Sequence, residues 1–404
     1  MLNYLFPSRS FSRPVWVLFF ANMVSTSGFA MILPFISIYY IDQLHVTAAE
    51  VGTFFLIATI IRSVTELLAG ELSDTIGRRK LLIHGQLWRG ILFLSVIPTM
   101  IFNLGFWIIS SLLFCSYFFA ALYQPSMSAA IADVTKPDER IEAFSFTRVG
   151  GNAGWAIGPA IGGFLASFHY EFLFLFGGIL CISSSIWVFY QLKETKSSNE
   201  NQENKKFDLP GMFNELRNNR YFLFYCLNCV VLFLMIAQLI STFSVFAHEY
   251  LGVSNFEIGM IYGINGLLIV LFQVKISSIT RNINPVKIII FGTILYSMAY
   301  LSLSWANGTL YLMISMIFIT FGEILVASTS LSYVSSLAPE NKQGRYIGIY
   351  SLFTVFAWSI APNYGLSLMS FFNNQFYLWV TIGLTGLFSA GGFALLNFYK
   401  KGER

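Results

Sequence analysis

The chain has 404 residues, of which 56% are hydrophobic and only 11% are charged. Soluble globular proteins carry about 25% charged residues, and a soluble fold has too little interior to bury so much apolar surface. The composition therefore excludes a soluble globular protein and predicts an integral membrane protein. The net charge of +4 becomes informative only when the charges are placed along the chain.

Twelve apolar segments are long enough to cross a bilayer, which takes about 20 residues per helix. We number them spans 1 to 12, at residues 14–42, 51–71, 81–103, 105–134, 143–167, 171–192, 220–247, 256–279, 286–306, 309–336, 344–370 and 375–398. Span 1 follows two arginines but is too long for the apolar part of a signal peptide, so we interpret it as a retained span. Within span 7, Cys226 and Cys229 form a C-x-x-C pair. With no second pair and no nearby His, this pair indicates packing rather than metal binding.

The basic residues test the number of spans. If the N-terminus is cytoplasmic and the loops alternate, 21 of the 24 Lys and Arg fall in the termini, in the even-numbered loops or at the span ends within a few residues of those loops. The other three, Arg62, Arg89 and Arg148, fall inside spans. Because cytoplasmic loops are enriched in cations, this asymmetry predicts a multi-pass protein of the plasma (inner) membrane with both termini in the cytoplasm.

The chain divides into two similar halves. A polar, charge-rich segment at 193–219 separates six spans from six and is predicted to be a cytoplasmic linker between bundles at 1–192 and 220–404. Around Pro159 and Pro362, each half has a Pro in the preceding loop, then an Arg, then an apolar helix that reaches Ile-x-Pro. Such internal repeats are typical of secondary transporters.

The loop between spans 2 and 3 reads GELSDTIGRRK, residues 70–80. Gly70 would permit close helix packing, and Gly77 would permit a positive φ in the tight turn. Asp74 could face the positive end of another helix, and Arg78 could reach an acid on an adjacent loop. The simpler interpretation is an ordinary cytoplasmic turn with an excess of cations, but the spacing of the glycines, the acid and the cations is more specific than that.

A second motif lies in span 5, which reads RVGGNAGWAIGPAIGG at residues 148–163. Glycines repeat every four residues along one helix face, and a Pro and two further glycines complete the motif: Gly150, Gly154, Gly158, Pro159, Gly162 and Gly163. Small residues let membrane helices approach closely. Gly263 and Gly266 in span 8 are candidate partners for this face.

The GELSDTIGRRK loop matches the G-x-L-x-D-x-x-G-R-[RK] signature of the major facilitator superfamily, and the whole chain resembles that family. The resemblance implies an all-α integral membrane fold of twelve transmembrane helices in two pseudo-symmetric six-helix bundles. It also implies a conformational latch, in which Asp74 meets the start of span 11 near residues 345–347. The latch residues are Gly70, Asp74, Gly77, Arg78, Arg79 and Asp133, with Arg78 paired to Asp133. The span 5 motif resembles the drug:proton antiporter branch, where it packs the two halves together, but the Arg typical of span 4 in that branch is replaced here by Leu113.

Charged residues inside spans are costly and point to function. Arg62 and Glu66 share one helix face, so they form either a structural pair or a proton site at Glu66 that Arg62 modulates. Glu323 lies in span 10 with no Lys or Arg within one turn of it in the sequence. It is our preferred proton or substrate site, and the family resemblance adds a similar G-E-x-L in proton-coupled members. Arg148 either extends toward the interface or binds an acid or an anionic substrate, and Arg89 is interpreted as a counter-ion near the turn between spans 2 and 3.

Polar side chains in the spans are candidates for lining a cavity or for hydrogen bonds between helices: Asn22, Asn228 and Gln238. We find no motif for an enzyme, a metal site, a cofactor or nucleic acid. The sequence therefore predicts a monomeric, proton-coupled exporter of amphipathic small molecules or drugs that works by alternating access in a lipid bilayer. The alternatives are a proton-coupled transporter of a defined metabolite, such as a peptide, sugar or siderophore, and a non-transporting receptor or scaffold.

Overall fold

The computed structural model describes residues 11–136, 139–195, 216–217, 219–280, 282–339 and 343–402, and these residues form an all-α fold. Most of the predicted linker at 193–219 lies outside this description. The predicted domain boundaries therefore remain a prediction. Contacts between Cα atoms divide the chain into two compact units. One contains Met1–Glu200 and Val253–Gly266, and the other contains Asn201–Gly252 and Leu267–Arg404.

The first six spans are long helices joined by short connections. Their bounds are Arg13–Asp42, Ala48–Ile76, Arg78–Ile101, Phe106–Val134, Arg140–Ala166 and Glu171–Gln191. Span 2 begins with a capping box, in which the Thr47 side chain accepts from the Glu50 backbone N–H and the Glu50 carboxylate accepts from the Thr47 backbone N–H. This arrangement satisfies two backbone donors that a helix start otherwise leaves unmet.

The second six spans follow the same scheme, except that span 7 is broken. It consists of a helix at Arg220–Ile236, a 3₁₀ turn at Ala237–Leu239 and a short helix at Thr242–Glu249. The remaining spans are Asn255–Thr280, Pro285–Ser302, Thr309–Leu337, Gln343–Phe372 and Gln375–Gly402. The predicted span 7, at 220–247, agrees with the observed segment Arg220–Glu249, but the interruption within it was not predicted.

Helix pairing in the two units repeats. In the first unit, span 1 packs against spans 5 and 6, and span 3 packs against spans 4 and 6. In the second, span 7 packs against spans 11 and 12, and span 9 packs against spans 10 and 12. The hydrogen bonds repeat as well, because Ser184 of span 6 donates to the Ala21 carbonyl of span 1, and Ser389 of span 12 donates to the Asn228 carbonyl of span 7. These equivalent contacts agree with two pseudo-symmetric bundles.

The outer surface of each unit is apolar. Large hydrophobic side chains remain exposed along the spans, such as Val64 at 54%, Leu267 at 59% and Phe388 at 74%. Apolar surface on this scale indicates contact with lipid. Ten of the described helical spans are long and apolar enough to cross a membrane by length and composition alone. The other two, spans 5 and 11, are 27 and 30 residues long but carry more small and polar residues.

Candidate functional site

A single glycine connects spans 2 and 3. Span 2 ends at Ile76 and span 3 begins at Arg78, so Gly77 alone makes the turn. Its φ is +106° and its ψ is 145°, a conformation that residues with a Cβ rarely adopt. A Cβ at this position would also lie 2.6 Å from Glu194 Oε2. The backbone conformation therefore favours glycine here, and an added Cβ would in addition displace the exposed Glu194 carboxylate.

Arg78 joins three helix ends in the N-terminal unit. Its Nε donates to Asp133 Oδ2 at the end of span 4, over 3.0 Å, and its Nη1 donates to the Ser73 carbonyl of span 2, over 2.9 Å. The Arg78 side chain is 7% exposed, so the ion pair is largely shielded from solvent, and loss of one partner would leave an uncompensated charge. The surroundings of Gly70 and the side chain of Asp74 lie outside what the structure describes, as does the predicted contact of Asp74 with span 11.

Glu194, which the sequence analysis missed, completes this cluster. Its Oε1 accepts from the backbone N–H groups of Arg78, over 3.0 Å, and of Arg79, over 3.4 Å. A carboxylate is favoured there because the start of a helix carries unmet donors and a partial positive charge. Arg79 in turn donates to the carbonyls of Leu192 and Phe189 at the end of span 6. An acid two residues beyond the apolar run of span 6, on the predicted cytoplasmic side, is the signal that could have identified Glu194.

The glycines of span 5 pack against span 1. Four glycines of span 5, spaced four residues apart, each face a backbone carbonyl of span 1, and these carbonyls are also four residues apart. The pairs are Gly150–Phe19, Gly154–Met23, Gly158–Ser27 and Gly162–Met31. A Cβ at Gly150 would lie 2.8 Å from the Phe19 oxygen, and a Cβ at Gly154 would lie 2.7 Å from the Met23 oxygen. This row of glycines therefore meets span 1, and the expected partners Gly263 and Gly266 of span 8 pack against span 5 on a different face. Four-residue spacing predicts close approach, but it does not identify the neighbouring helix.

A different face of span 5 meets span 8 within the N-terminal unit. A Cβ at Gly163 would lie 2.5 Å from Gly259 Cα, and a Cβ at Gly266 would lie 2.5 Å from Ala156 Cα. Gly263 is less constrained, because its Cβ would lie 3.4 Å from Ala160 Cβ. The carbonyl of Pro159 also faces Gly259. The backbones of the two helices are therefore almost in contact, with no room for larger side chains.

The ionisable residues of the spans lie in several places. Arg62 Nε and Glu66 Oε1 are 2.7 Å apart in span 2, and both residues are half-buried. Glu323 is half-buried in span 10. Arg148 is exposed on span 5. The sequence analysis expected Arg89 near the turn between spans 2 and 3, and this is wrong. Because span 3 begins at residue 78, Arg89 lies well inside the helix, where it is 7% exposed.

The three polar candidates are buried and bridge helices. Asn22 of span 1 donates to the Thr147 carbonyl of span 5, over 3.1 Å. Asn228 of span 7 donates to the Ser389 carbonyl of span 12, over 2.9 Å. Gln238 lies in the break of span 7 and donates to the Ala361 carbonyl of span 11, over 3.0 Å. This geometry favours the second of the two roles considered, hydrogen bonding between helices.

Two bundles of long apolar helices, with repeated packing and a charged cluster at the turn between spans 2 and 3, define a multi-pass membrane transporter fold. The sequence model of the Major Facilitator Superfamily matches residues 18–362. The chain belongs to this family of transporters, which confirms both the resemblance and the predicted fold class.

Curated relatives and solved structures give the closer context. The chain is 25% identical over 362 residues to multidrug resistance protein 1 of Bacillus subtilis (strain 168), covering 88% of this chain and 90% of that protein. It is 24% identical over 386 residues to a Na(+), Li(+), K(+)/H(+) antiporter of Planococcus maritimus, covering 88% and 89%. A crystal structure of a POT family transporter in complex with 5-aminolevulinic acid is similar in fold, with a TM-score of 0.75, 16% identity and 99% of each chain covered.

Proposed function

We propose that this protein exports amphipathic small molecules in exchange for protons, by alternating access, across the plasma membrane. The similarity to a multidrug resistance protein along 88% of the chain carries the proposal for the substrate class. The distribution of cations, with 21 of 24 in or next to the termini and loops on one side, supports cytoplasmic termini. Transport by rocking of two repeats requires no cofactor.

The ion pair of span 2 supports the proton step. When Glu66 is ionised, Arg62 is held at 2.7 Å. Protonation of Glu66 would remove the negative charge and release the guanidinium, which changes the local charge in a membrane span. A change of this kind can bias two conformations of a transporter, because it alters the free energy of one state relative to the other. Glu323 is the corresponding candidate in the second half.

Proteoliposomes with an imposed pH gradient test the proposal. Uptake of anionic, neutral and cationic amphipathic dyes should depend on the gradient for the natural sequence. Glu66→Gln or Glu323→Gln should abolish this dependence but preserve exchange between equal dye pools. Glu171→Gln, at the start of span 6, is the matched control and should behave as the natural sequence does. If neither Glu66→Gln nor Glu323→Gln altered coupling, the proton role would be wrong.

A second candidate function is exchange of monovalent cations for protons. The similarity to the antiporter of Planococcus maritimus favours it. The same vesicles, loaded with Na⁺ or K⁺ instead of dye, separate the two. Proton movement driven by these ions alone, with no dye transport, would replace the first proposal with this one. Transport of a peptide or sugar with no dye transport would support the defined-metabolite alternative.

A further inference from the structure

Arg89 holds a positive charge inside the N-terminal unit. It lies in span 3, Arg78–Ile101, and only 7% of the residue is exposed. Its guanidinium carbon is 4.4 Å from the ring centroid of Phe29 in span 1 and 5.4 Å from that of Phe93. Placing an arginine at this depth costs about 2.5–3.5 kcal/mol on insertion scales.

No carboxylate among the described residues neutralises this charge. The side chains that act on it electrostatically are Tyr117, Tyr123, Cys181 and Arg62, and Arg62 is itself a cation. The buried Nε of Arg89 has no hydrogen-bond acceptor within the described part of the chain. Aromatic faces contribute about 0.5–2 kcal/mol to holding a cation, which does not replace an anion. Buried charges in proteins are normally paired, so an anionic partner from outside the chain explains this position.

Gln86 adds a second unmet group beside Arg89. It lies one turn earlier on the same face of span 3 and is 0% exposed. Neither its Oε1 nor its Nε2 has a hydrogen-bond partner among the described residues. A buried polar group left unsatisfied costs about 1–3 kcal/mol. Gln86 and Arg89 together offer amide and guanidinium N–H donors, which suit a carboxylate or sulfonate.

The rings around Arg89 also border a cavity. Phe29, Phe93 and Tyr117 line a space of about 10 Å³, which holds about one water molecule. Gln86 and Arg89 do not line this space and are themselves buried, so the site is closed in this conformation. An alternating-access cycle supplies other conformations in which the rings separate and a ligand enters.

We propose that Gln86 and Arg89 form a subsite for the anionic head group of an amphipathic substrate, with the aromatic rings against its apolar part. The inference rests on the proposed export function and narrows its substrates to amphipathic organic anions. A cationic head group is disfavoured because the unpaired charge of Arg89 repels it. A neutral head group would not offset the buried charge.

Three naphthalene probes test this subsite, because they share one ring system and differ in charge. They are 1-naphthaleneacetate, 1-naphthalenemethanol and 1-naphthylmethylammonium, each titrated calorimetrically into the purified full chain. The natural sequence should bind the acetate most tightly. Arg89→Gln should weaken binding of 1-naphthaleneacetate at least tenfold and change binding of 1-naphthalenemethanol by no more than twofold. Arg89→Lys should bind 1-naphthaleneacetate with an affinity between those of the natural sequence and Arg89→Gln. Lys287→Gln, an exposed cation at the start of span 9, should change nothing.

Equal binding of the three probes, binding of none, or unchanged acetate binding in Arg89→Gln would overturn the subsite. If Arg89→Gln fails to fold, Gln86→Leu provides the second test and should weaken the acetate severalfold more than the methanol. The vesicle assay separates this inference from the export proposal. Proton-driven export limited to cationic or neutral amphiphiles would refute only the subsite. Selective acetate binding without any transport would refute only export.

Discussion

Replacement of Gly77 by Ala should destabilise the protein in two separable ways. The first is backbone strain, because a φ of +106° costs a residue with a Cβ about 1–3 kcal/mol. The second is the contact with Glu194, because the new Cβ would lie 2.6 Å from Oε2 whereas ordinary contacts begin at 3.4 Å. The carboxylate must move by about 0.8 Å, which weakens its hydrogen bonds to the start of span 3. Loss of a helix cap costs about 0.5–2 kcal/mol, and because Glu194 is exposed we expect about 1 kcal/mol.

Gly105→Ala is the matched control for strain. Gly105 precedes span 4 with a φ of +89°, and nothing lies within 4 Å of its added Cβ. In unfolding by SDS in mixed micelles, we expect a loss of about 2 kcal/mol for Gly105→Ala and about 3 kcal/mol for Gly77→Ala. In a Glu194→Ala background, the cost of Gly77→Ala should fall by about 1 kcal/mol. The reasoning is refuted if Gly77→Ala costs no more than Gly105→Ala, or if its cost is independent of Glu194.

Three further predictions concern packing and pairing. Arg78→Ala should lower the free energy of unfolding by about 3 kcal/mol in the same assay, because it leaves Asp133 without its shielded partner; an effect below 1 kcal/mol would contradict this. Gly259→Val should reduce transport and thermal stability, because a Cβ at this position would lie only 2.8 Å from span 5. Gly263→Ala should be tolerated, because its Cβ would lie 3.4 Å from span 5. Equal effects of the two substitutions would disprove the close contact. An apolar maleimide should modify the exposed Cys115 and leave the other three cysteines, which are buried, unmodified in the folded protein, as mass spectrometry would show.

The number of spans could be predicted because its signal is local. A run of about 20 apolar residues predicts a span without knowledge of its neighbours. The cations of the loops then fix the alternation of sides. The family resemblance supplied the partner of Arg78, which composition alone does not provide. The number of spans depends little on tertiary contacts, whereas the pairing of Arg78 with Asp133 is a tertiary contact.

The break in span 7 could not be predicted in this way. The segment contains no Pro or Gly between residues 220 and 249, so hydropathy describes one continuous helix. The structure satisfies the backbone at the break through Gln238, which also accepts from Thr242 Oγ1 over 2.6 Å. Side chains can replace lost helical hydrogen bonds within a membrane. The group of polar residues from Gln238 to Ser244 is the signal that was present in the sequence.

Contacts between residues distant in sequence were the second kind of feature that the sequence could not predict. The depth of Arg89 depends on where span 3 begins, and the predicted start at residue 81 placed it nearer the turn than the observed start at residue 78. The choice of span 1 as partner of the span 5 glycines depends on the arrangement of six helices. Glu194 is distant in sequence from the loop that it binds. Each of these features follows from tertiary contacts that no local pattern contains.

The anchoring of residues 189–195 has a practical consequence for modifying the protein. Phe189, Leu192 and Glu194 bind the turn at Gly77–Arg79, and Thr195 Oγ1 donates to Asp133 Oδ2 over 3.3 Å. An epitope tag, fluorescent reporter or protease site inserted between residues 189 and 195 would separate these groups from one another and break some of these contacts. The same insertion after Thr195 leaves every one of these contacts in place, so the segment beyond it is where such a label belongs.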